Sequence, residues 1–382
     1  MMNISLDDIV NLTSDLIAID STNPDLVPGG AGEGDIAAFV AGWMREAGLN
    51  VSVHDLGGTR ANVVGIVPGS GGGQSLMLNA HMDVVGAGGM ADPWAPRRDG
   101  DRLHGRGSFD MKASLAIIML VAREAMSWNL RGDLLVTAVA DEEFASIGTQ
   151  DIVRQYRADA AIVTEPTGLS LCVAHKGFVW VEVETSGVAA HGSRPDVGVD
   201  AIAMMGPVLT ALGKLDRELR AGPSHALLGA GSVHASLISG GQELSSYPLR
   251  CVLGIERRTV PGETQEQVER EIDVILEEAA RHDPSFRAAQ RTLLVRDPFS
   301  VALDEPIVQL ANRELERVRR DTPEVSGAYG WMDSALLSAA GIPTVIIGPD
   351  GEGAHADEEW VDLASALTTA DALSGIVRAF CA

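Results

Sequence analysis

Apolar side chains recur at helical spacing over residues 6 to 17 and again over 35 to 47, where Ile36, Phe39, Val40, Trp43, Met44 and Ala47 are separated by polar residues. Both stretches predict amphipathic surface helices. Short β-rich runs follow at Asn62 to Val67, Ser75 to Ala80, Asp133 to Ala140, Ala160 to Thr164 and Pro343 to Ile347. Several are apolar throughout, as strands covered on both faces must be. Helical stretches lie between them, most clearly Met111 to Ser127 and Asp333 to Ala340, so the pattern predicts an α/β sheet with helices on both faces. From about Lys176 the rhythm changes to a strand (Phe178 to Glu184), a helix (Val199 to Leu219), two strands (Ser232 to Ser239, Leu249 to Arg257), a helix (Glu263 to Arg281) and a last strand (Phe286 to Val295). That order, β-α-β-β-α-β, is the split-βαβ or ferredoxin-like arrangement. It predicts an inserted α+β domain over 176–296 within a larger domain formed by 1–175 and 297–382.

The length agrees, since 382 residues are too many for one ordinary core and enough for two. Hydrophobic residues at 46% and charged residues at 21% are globular usage. A formal net charge of −24, with no local run of Lys or Arg, repels phosphate backbones and anionic lipid, so neither nucleic acid nor membrane is an expected partner. An anionic substrate is still admissible, because a few converging arginines outweigh a salt-screened net charge at short range. The segment MMNISLDDIVNLTSDL is acidic, and no stretch reaches the roughly 18 apolar residues of a membrane helix, which predicts a cytoplasmic protein. Cys172, Cys251 and Cys381 are isolated and lack CxxC spacing, which argues against a disulfide framework and a thiolate metal site. The PGSGGG stretch lacks the Lys-Ser/Thr of a phosphate loop and predicts a hairpin turn.

Ligand-type side chains gather at element ends. LMLNAHMDVVG ends a strand with His81 and Asp83, and LHGRGSFDMKASLAI places Asp110 at the entrance to a helix. LLVTAVADEEF ends a strand with Asp141, Glu142 and Glu143, AAIVTEPTG ends another with Glu165, and PTVIIGPDGEGAHADEEW delivers His355 from a Gly-rich loop. Taken singly, each acid is more often a helix cap or a solvated edge. Together they point elsewhere, because ligands of open α/β sheets sit at the carboxyl ends of the strands. Two His and three carboxylates suit zinc or a neighbouring divalent metal, one carboxylate can bridge two ions, and Asp83 is spaced to orient the His81 imidazole.

The segments HMDVV, GRGSFDMK, DEEF, TEP, AHGSRP, ERRTVPGE and GPDGEGAHADEEW fall along essentially the whole chain. In that order they resemble the co-catalytic zinc hydrolase family of acetylornithine deacetylase, succinyl-diaminopimelate desuccinylase, carboxypeptidase G and aminoacylase. The resemblance implies two Zn2+ per subunit, with Co2+ or Mn2+ as substitutes: His81 and Glu165 complete one ion, Glu143 and His355 the other, and Asp110 bridges. It implies Glu142 as general base, with water activated at the metals attacking an acyl carbonyl. It further implies that His191 reaches into a partner subunit's site to stabilise the oxyanion, and that Arg258 grips a substrate carboxylate, although Arg257 stands beside it. Gly353 is a further substrate-binding candidate. A homodimer with a hinged lid or dimerisation domain follows from such a role for His191.

The implied activity is hydrolysis of an N-acyl-amino acid, with a dipeptidase or glutamate-type carboxypeptidase using the same ligands as the alternative. A catalytically silent binding homologue is the reading from another class; it would lack a ligand or the base, and neither is missing. A serine hydrolase is disfavoured because no GxSxG elbow occurs. Two departures from the family pattern stand out. Ser246 occupies a place where many members have asparagine, which leaves the substrate open, and Ala113 stands where glycine is common. His54, His104, His175, His225, His234 and His282 read as structural.

Overall fold

A computed structural model describes residues 4–382 and forms two compact units. The first comprises the described residues up to Val173 with Val301–Ser326 and Met332–Ala382; the second comprises Ala174–Ser300 with Gly327–Trp331. The segment Gly327–Trp331 is an addition to the second unit that the sequence pattern did not signal. It is held there by the Trp331 Nε1–H donating to the Asp297 carbonyl at 3.0 Å and by the Lys176 N–H donating to Ala328 O at 3.1 Å.

In the first unit the strands Asn50–Gly57, Arg60–Val67, Leu134–Val139, Leu76–His81, Ala160–Val163, Thr344–Ile346 and Leu171–His175 lie side by side in that order. The four from Leu134–Val139 to Thr344–Ile346 are mutually parallel, and the flanking strands are antiparallel to them. Every residue of Leu76–His81, Leu134–Val139 and Ala160–Val163 is buried. Successive side chains point to opposite faces, so full burial means that both faces are covered. The helix Ala113–Ala125 is apolar on nearly every side because it lies between this sheet and the helices Leu6–Ile17 and Leu363–Phe380. Ser5 starts the Leu6–Ile17 helix with a capping box: its hydroxyl accepts from the Asp8 N–H at 3.1 Å, and Asp8 accepts from the Ser5 N–H at 2.9 Å.

The expectation of a hairpin turn at PGSGGG is corrected. Leu134–Val139 lies between the strands on either side of it, so this loop crosses over a neighbour rather than joining a pair. Its glycines serve close approach instead: a Cβ on Gly69 would lie 2.4 Å from Arg131 O, and one on Gly73 would lie 2.4 Å from Gly132 N.

The second unit places its strands in the order Ser232–Gly240, Arg250–Thr259, Gly177–Ser186 and Ala288–Arg296, all antiparallel. Val179, Val181 and Val183 alternate onto one face and pack with Met204, Val208 and Leu212 of the helix Ala201–Ala221 and Val268 and Ile272 of the helix Gln265–His282. Asp200 and Thr264 cap those helices by accepting from their first-turn N–H groups. The strand Ser232–Gly240 forms an edge and is exposed from His234 onward. No helix among the described residues is long and apolar enough to cross a membrane.

Candidate metal centre

The carboxyl ends of the four parallel strands carry the predicted ligands. His81 is the last residue of one strand, Glu142 and Glu143 follow Val139, Glu165 follows Val163, and His355 comes from the loop after Ile346. Asp110 enters from the turn Ser108–Lys112 that precedes the helix Ala113–Ala125. His81 Nε2 lies 3.1 Å from Asp110 Oδ1 and 3.6 Å from a Glu165 oxygen. His355 Nε2 lies 3.4 Å from Asp110 Oδ2 and 3.0 Å from a Glu143 oxygen. The two oxygens of one carboxylate therefore face two different imidazoles. His81 is buried, whereas the His355 side chain is 54% exposed, so one end of the cluster is deep and the other opens outward.

His81 Nδ1 lies 2.9 Å from the backbone oxygen of Asp83, which fixes Nδ1 as the donor and leaves Nε2 free to ligate. It is the Asp83 carbonyl, and not the carboxylate, that meets the ring. The carboxylate, 3.7 Å from Nδ1, is bonded elsewhere: it accepts from the N–H groups of Glu142 at 3.1 Å and Glu143 at 3.2 Å and from Asn23 Nδ2 at 2.8 Å. One residue thus sets both the imidazole and the turn that bears two acids. That turn begins at Asp141, in the left-handed region at φ 69°. A buried network holds it: Arg60 Nη1 lies 2.5 Å from Asp141 Oδ1, Asn23 Nδ2 donates to Asp141 at 3.0 Å, and the Asp141 N–H donates to Glu33 at 3.1 Å.

Glu142 places a carboxylate oxygen within 4.8 Å of the ligating atoms of His81 and Glu165. Among the described residues it is the acid of this cluster whose carboxylate makes no hydrogen bond or ion pair to a protein group, since Asp110, Glu143 and Glu165 are each paired with an imidazole. Burial, with Glu165 adding repulsion, pushes Glu142 well above the usual carboxylate range; burial does the same to Glu165 and lifts Glu143 to about 6. Burial opposes the charged form of His81 too, but Glu165 and Asp110 override it and raise the imidazole well above its usual range. Hydrogen bonds to Asp110 and Glu143 lift His355 to about 10. These shifts describe a pocket with more carboxylates than its two imidazoles can neutralise. Divalent cations answer that need, and an imidazole–carboxylate donor set without thiolate fits zinc, manganese or cobalt.

Two further acids belong to this region although the sequence did not single them out. Asp333, buried at the start of the helix Ser334–Ala339, accepts from Thr149 Oγ1 at 2.7 Å, and burial lifts its carboxyl to about 6. Glu359, also buried, accepts from the N–H groups of Phe109 and Asp110 at 2.9 and 3.0 Å. The signal for Asp333 was the same as for the ligands, an acid at an element end; for Glu359 there was none beyond the DEEW run.

The remaining candidates have settings of their own. His191 is exposed in the second unit, with Nδ1 2.8 Å from Ser193 Oγ and its backbone bridged to Ser246. Arg257 is fully buried and spends its guanidinium on Glu263 at 2.6 Å and Glu271 at 3.0 Å, which makes it structural. Its neighbour Arg258 is partly exposed, stacks 5.4 Å from the Phe178 ring centroid and donates to the Tyr329 carbonyl. Gly353 sits at φ 88°, and a Cβ there would come within 1.9 Å of Glu358 O, so the loop's own backbone already requires glycine.

Residues 77–379 match the model of Peptidase family M20/M25/M40. The chain belongs to that family. It is an M20 hydrolase acting on amide bonds. Among M20 relatives, an acetylornithine deacetylase from Myxococcus xanthus is 29% identical over 96% of this chain and 96% of its own. N-formyl-4-amino-5-aminomethyl-2-methylpyrimidine deformylase from Bacillus subtilis (strain 168) is 28% identical over 94% of this chain and 91% of its own. A dinuclear metal binding peptidase of the M20 family from Bacillus subtilis shares the fold with a TM-score of 0.76 at 15% identity, covering 98% of each chain.

Proposed function

We propose that this M20 protein is a cytoplasmic two-metal deacylase that frees an amino acid from a small N-acyl group. The observation that carries the reading is the placement of Asp110, one oxygen towards His81 and the other towards His355. His81 and Glu165 would hold an inner ion, Glu143 and His355 an outer one, and Asp110 would bridge, with zinc as the resident metal and Co2+ or Mn2+ as substitutes. The ions would polarise the acyl carbonyl and acidify a water. Glu142, whose carboxylate is bonded to no protein group among the described residues, would take the proton of the attacking water and return it to the leaving nitrogen. The Asp83 carboxylate, by holding the N–H groups of Glu142 and Glu143, keeps base and ligand in register. In the second unit Arg258 would grip the substrate carboxylate, for which the planar fork of a guanidinium is suited.

The acyl-amino-acid substrate is supported by the acetylornithine deacetylases at 28–29% identity. A formamide of an aminomethylpyrimidine is the second reading, supported by the deformylase at 28%. Dipeptidase and carboxypeptidase activity uses the same machinery and is the third. The deciding experiment offers N-acetyl-, N-succinyl- and N-formyl-amino acids, dipeptides and the formylaminomethylpyrimidine to zinc-loaded protein and to a chelated control. Chelator-sensitive amine release from acyl-amino acids supports the proposal; release from another class alone replaces it.

We further read the chain as a homodimer joined along Ser232–Gly240, an edge strand that leaves Leu237 at 76% and Ile238 at 55% exposure. His191 would then serve the partner's site as an oxyanion donor. His191→Ala is expected to lower kcat about 10²-fold with metal content unchanged. Co-expressed with Glu142→Gln, it should recover about a quarter of the wild-type rate, because half of randomly paired dimers are mixed and each has one intact site. Metal loss in the single variant, or no recovery in the mixture, would remove the role.

A further inference from the structure

We propose that the buried Arg106–Glu359 pair is a positioning device that sets the two loops carrying Asp110 and His355, and through them governs how tightly the outer ion is held. The inference rests on the two-metal reading. Glu359 is 1% exposed, and its two oxygens receive four donors. Oε2 accepts from Arg106 Nη1 at 2.7 Å and from the Gly107 N–H at 2.9 Å, while Oε1 accepts from the N–H groups of Phe109 at 2.9 Å and Asp110 at 3.0 Å. One side-chain carboxylate thus fixes the backbone from residue 107 to the proposed bridging ligand itself.

Arg106, also 1% exposed, extends the device to the second loop. Its Nη2 donates to Ala356 O at 2.8 Å, the carbonyl next to His355. His355 has φ 64°, a left-handed backbone that a non-glycine residue keeps only where its surroundings hold it. The pair therefore anchors both Asp110 and His355. The other two inner ligands are independent of it: His81 is the end of a strand and is oriented by Asp83 O, and Glu165 follows directly from Ala160–Val163. Loss of the pair should consequently weaken the outer ion, which depends on both Asp110 and His355, more than the inner one, which shares Asp110 alone.

The test is Co2+ titration of metal-free protein, followed by calorimetry and by visible absorption. Wild-type protein is expected to bind two ions per chain. Glu359→Gln keeps the shape but cannot accept all four donors, and should weaken one ion about 10–100-fold, the usual cost of removing a group that orients a ligand, and the other markedly less. Arg106→Lys keeps the charge beside Glu359 but gives up the bond to Ala356, and should weaken the same ion alone; it carries the test if Glu359→Gln does not fold. Glu359→Asp should restore part of the lost affinity. Unchanged affinity for both ions in the folded variants would overturn the proposal, and so would equal weakening of both, which is what removing a nearby charge without repositioning would give. Failure of the wild-type chain to bind two ions would instead overturn the two-metal reading.

Discussion

Glu142→Gln is expected to bind two metal ions as the wild type does and to lose about 10²–10⁴-fold in kcat. The substitution is isosteric and leaves the Glu142 N–H on Asp83, so the turn that presents Glu143 should not move. It removes one capacity, that of accepting and returning a proton. The neighbouring acids Asp110, Glu143 and Glu165 already face imidazoles, and Asp333 accepts from Thr149. Loss of rate together with loss of an ion would make Glu142 a ligand, consistent with its place within 4.8 Å of the His81 and Glu165 ligating atoms, and retained rate would remove it as base. Metal analysis on the same preparation as the kinetics separates these outcomes.

Arg60→Met is expected to be strongly destabilising. Arg60 is 7% exposed and lies 2.5 Å from Asp141, 3.6 Å from Glu33 and 2.8 Å from the Asn23 oxygen. Burial, with Asp83 adding repulsion, already lifts Glu33 to about 8, so the acids here are crowded even with the guanidinium present. Removing it leaves buried acids without a cation, which costs about 3–5 kcal/mol and, in a unit of this size, a fall on the order of 10 °C in Tm. A fall of less than 2 °C by calorimetry would show that the network contributes specificity of geometry rather than stability.

The candidate ligands could be picked out of the sequence only as a set, because His81, Glu143 and Glu165 each stand within three residues of the end of an apolar run. Asp110 and His355 were legible through their glycine-flanked segments. What holds them was not. Arg106 and Glu359, or Arg60 and Asp141, are ion pairs between positions far apart in sequence, and nothing local marks an arginine as buried. The strand Asn50–Gly57 was missed because its inner face is only partly buried and its alternation is broken at Val53. The small sheet formed by Arg97–Asp99, Arg102–His104, Gly351–Glu352 and Trp360–Asp362 was missed because strands of two or three residues carry no period. The helices Pro306–Arg319 and Leu363–Phe380 are also additional to the predicted elements.

The sheet order also bears on how the chain is made. Thr344–Ile346 lies between Ala160–Val163 and Leu171–His175, so the central sheet stays incomplete on the ribosome until residues 344–346 have emerged. By then all strands and both helices of the second unit have long been synthesised. The inserted unit is therefore free to fold while the larger one waits with its first apolar strands unpaired on one side.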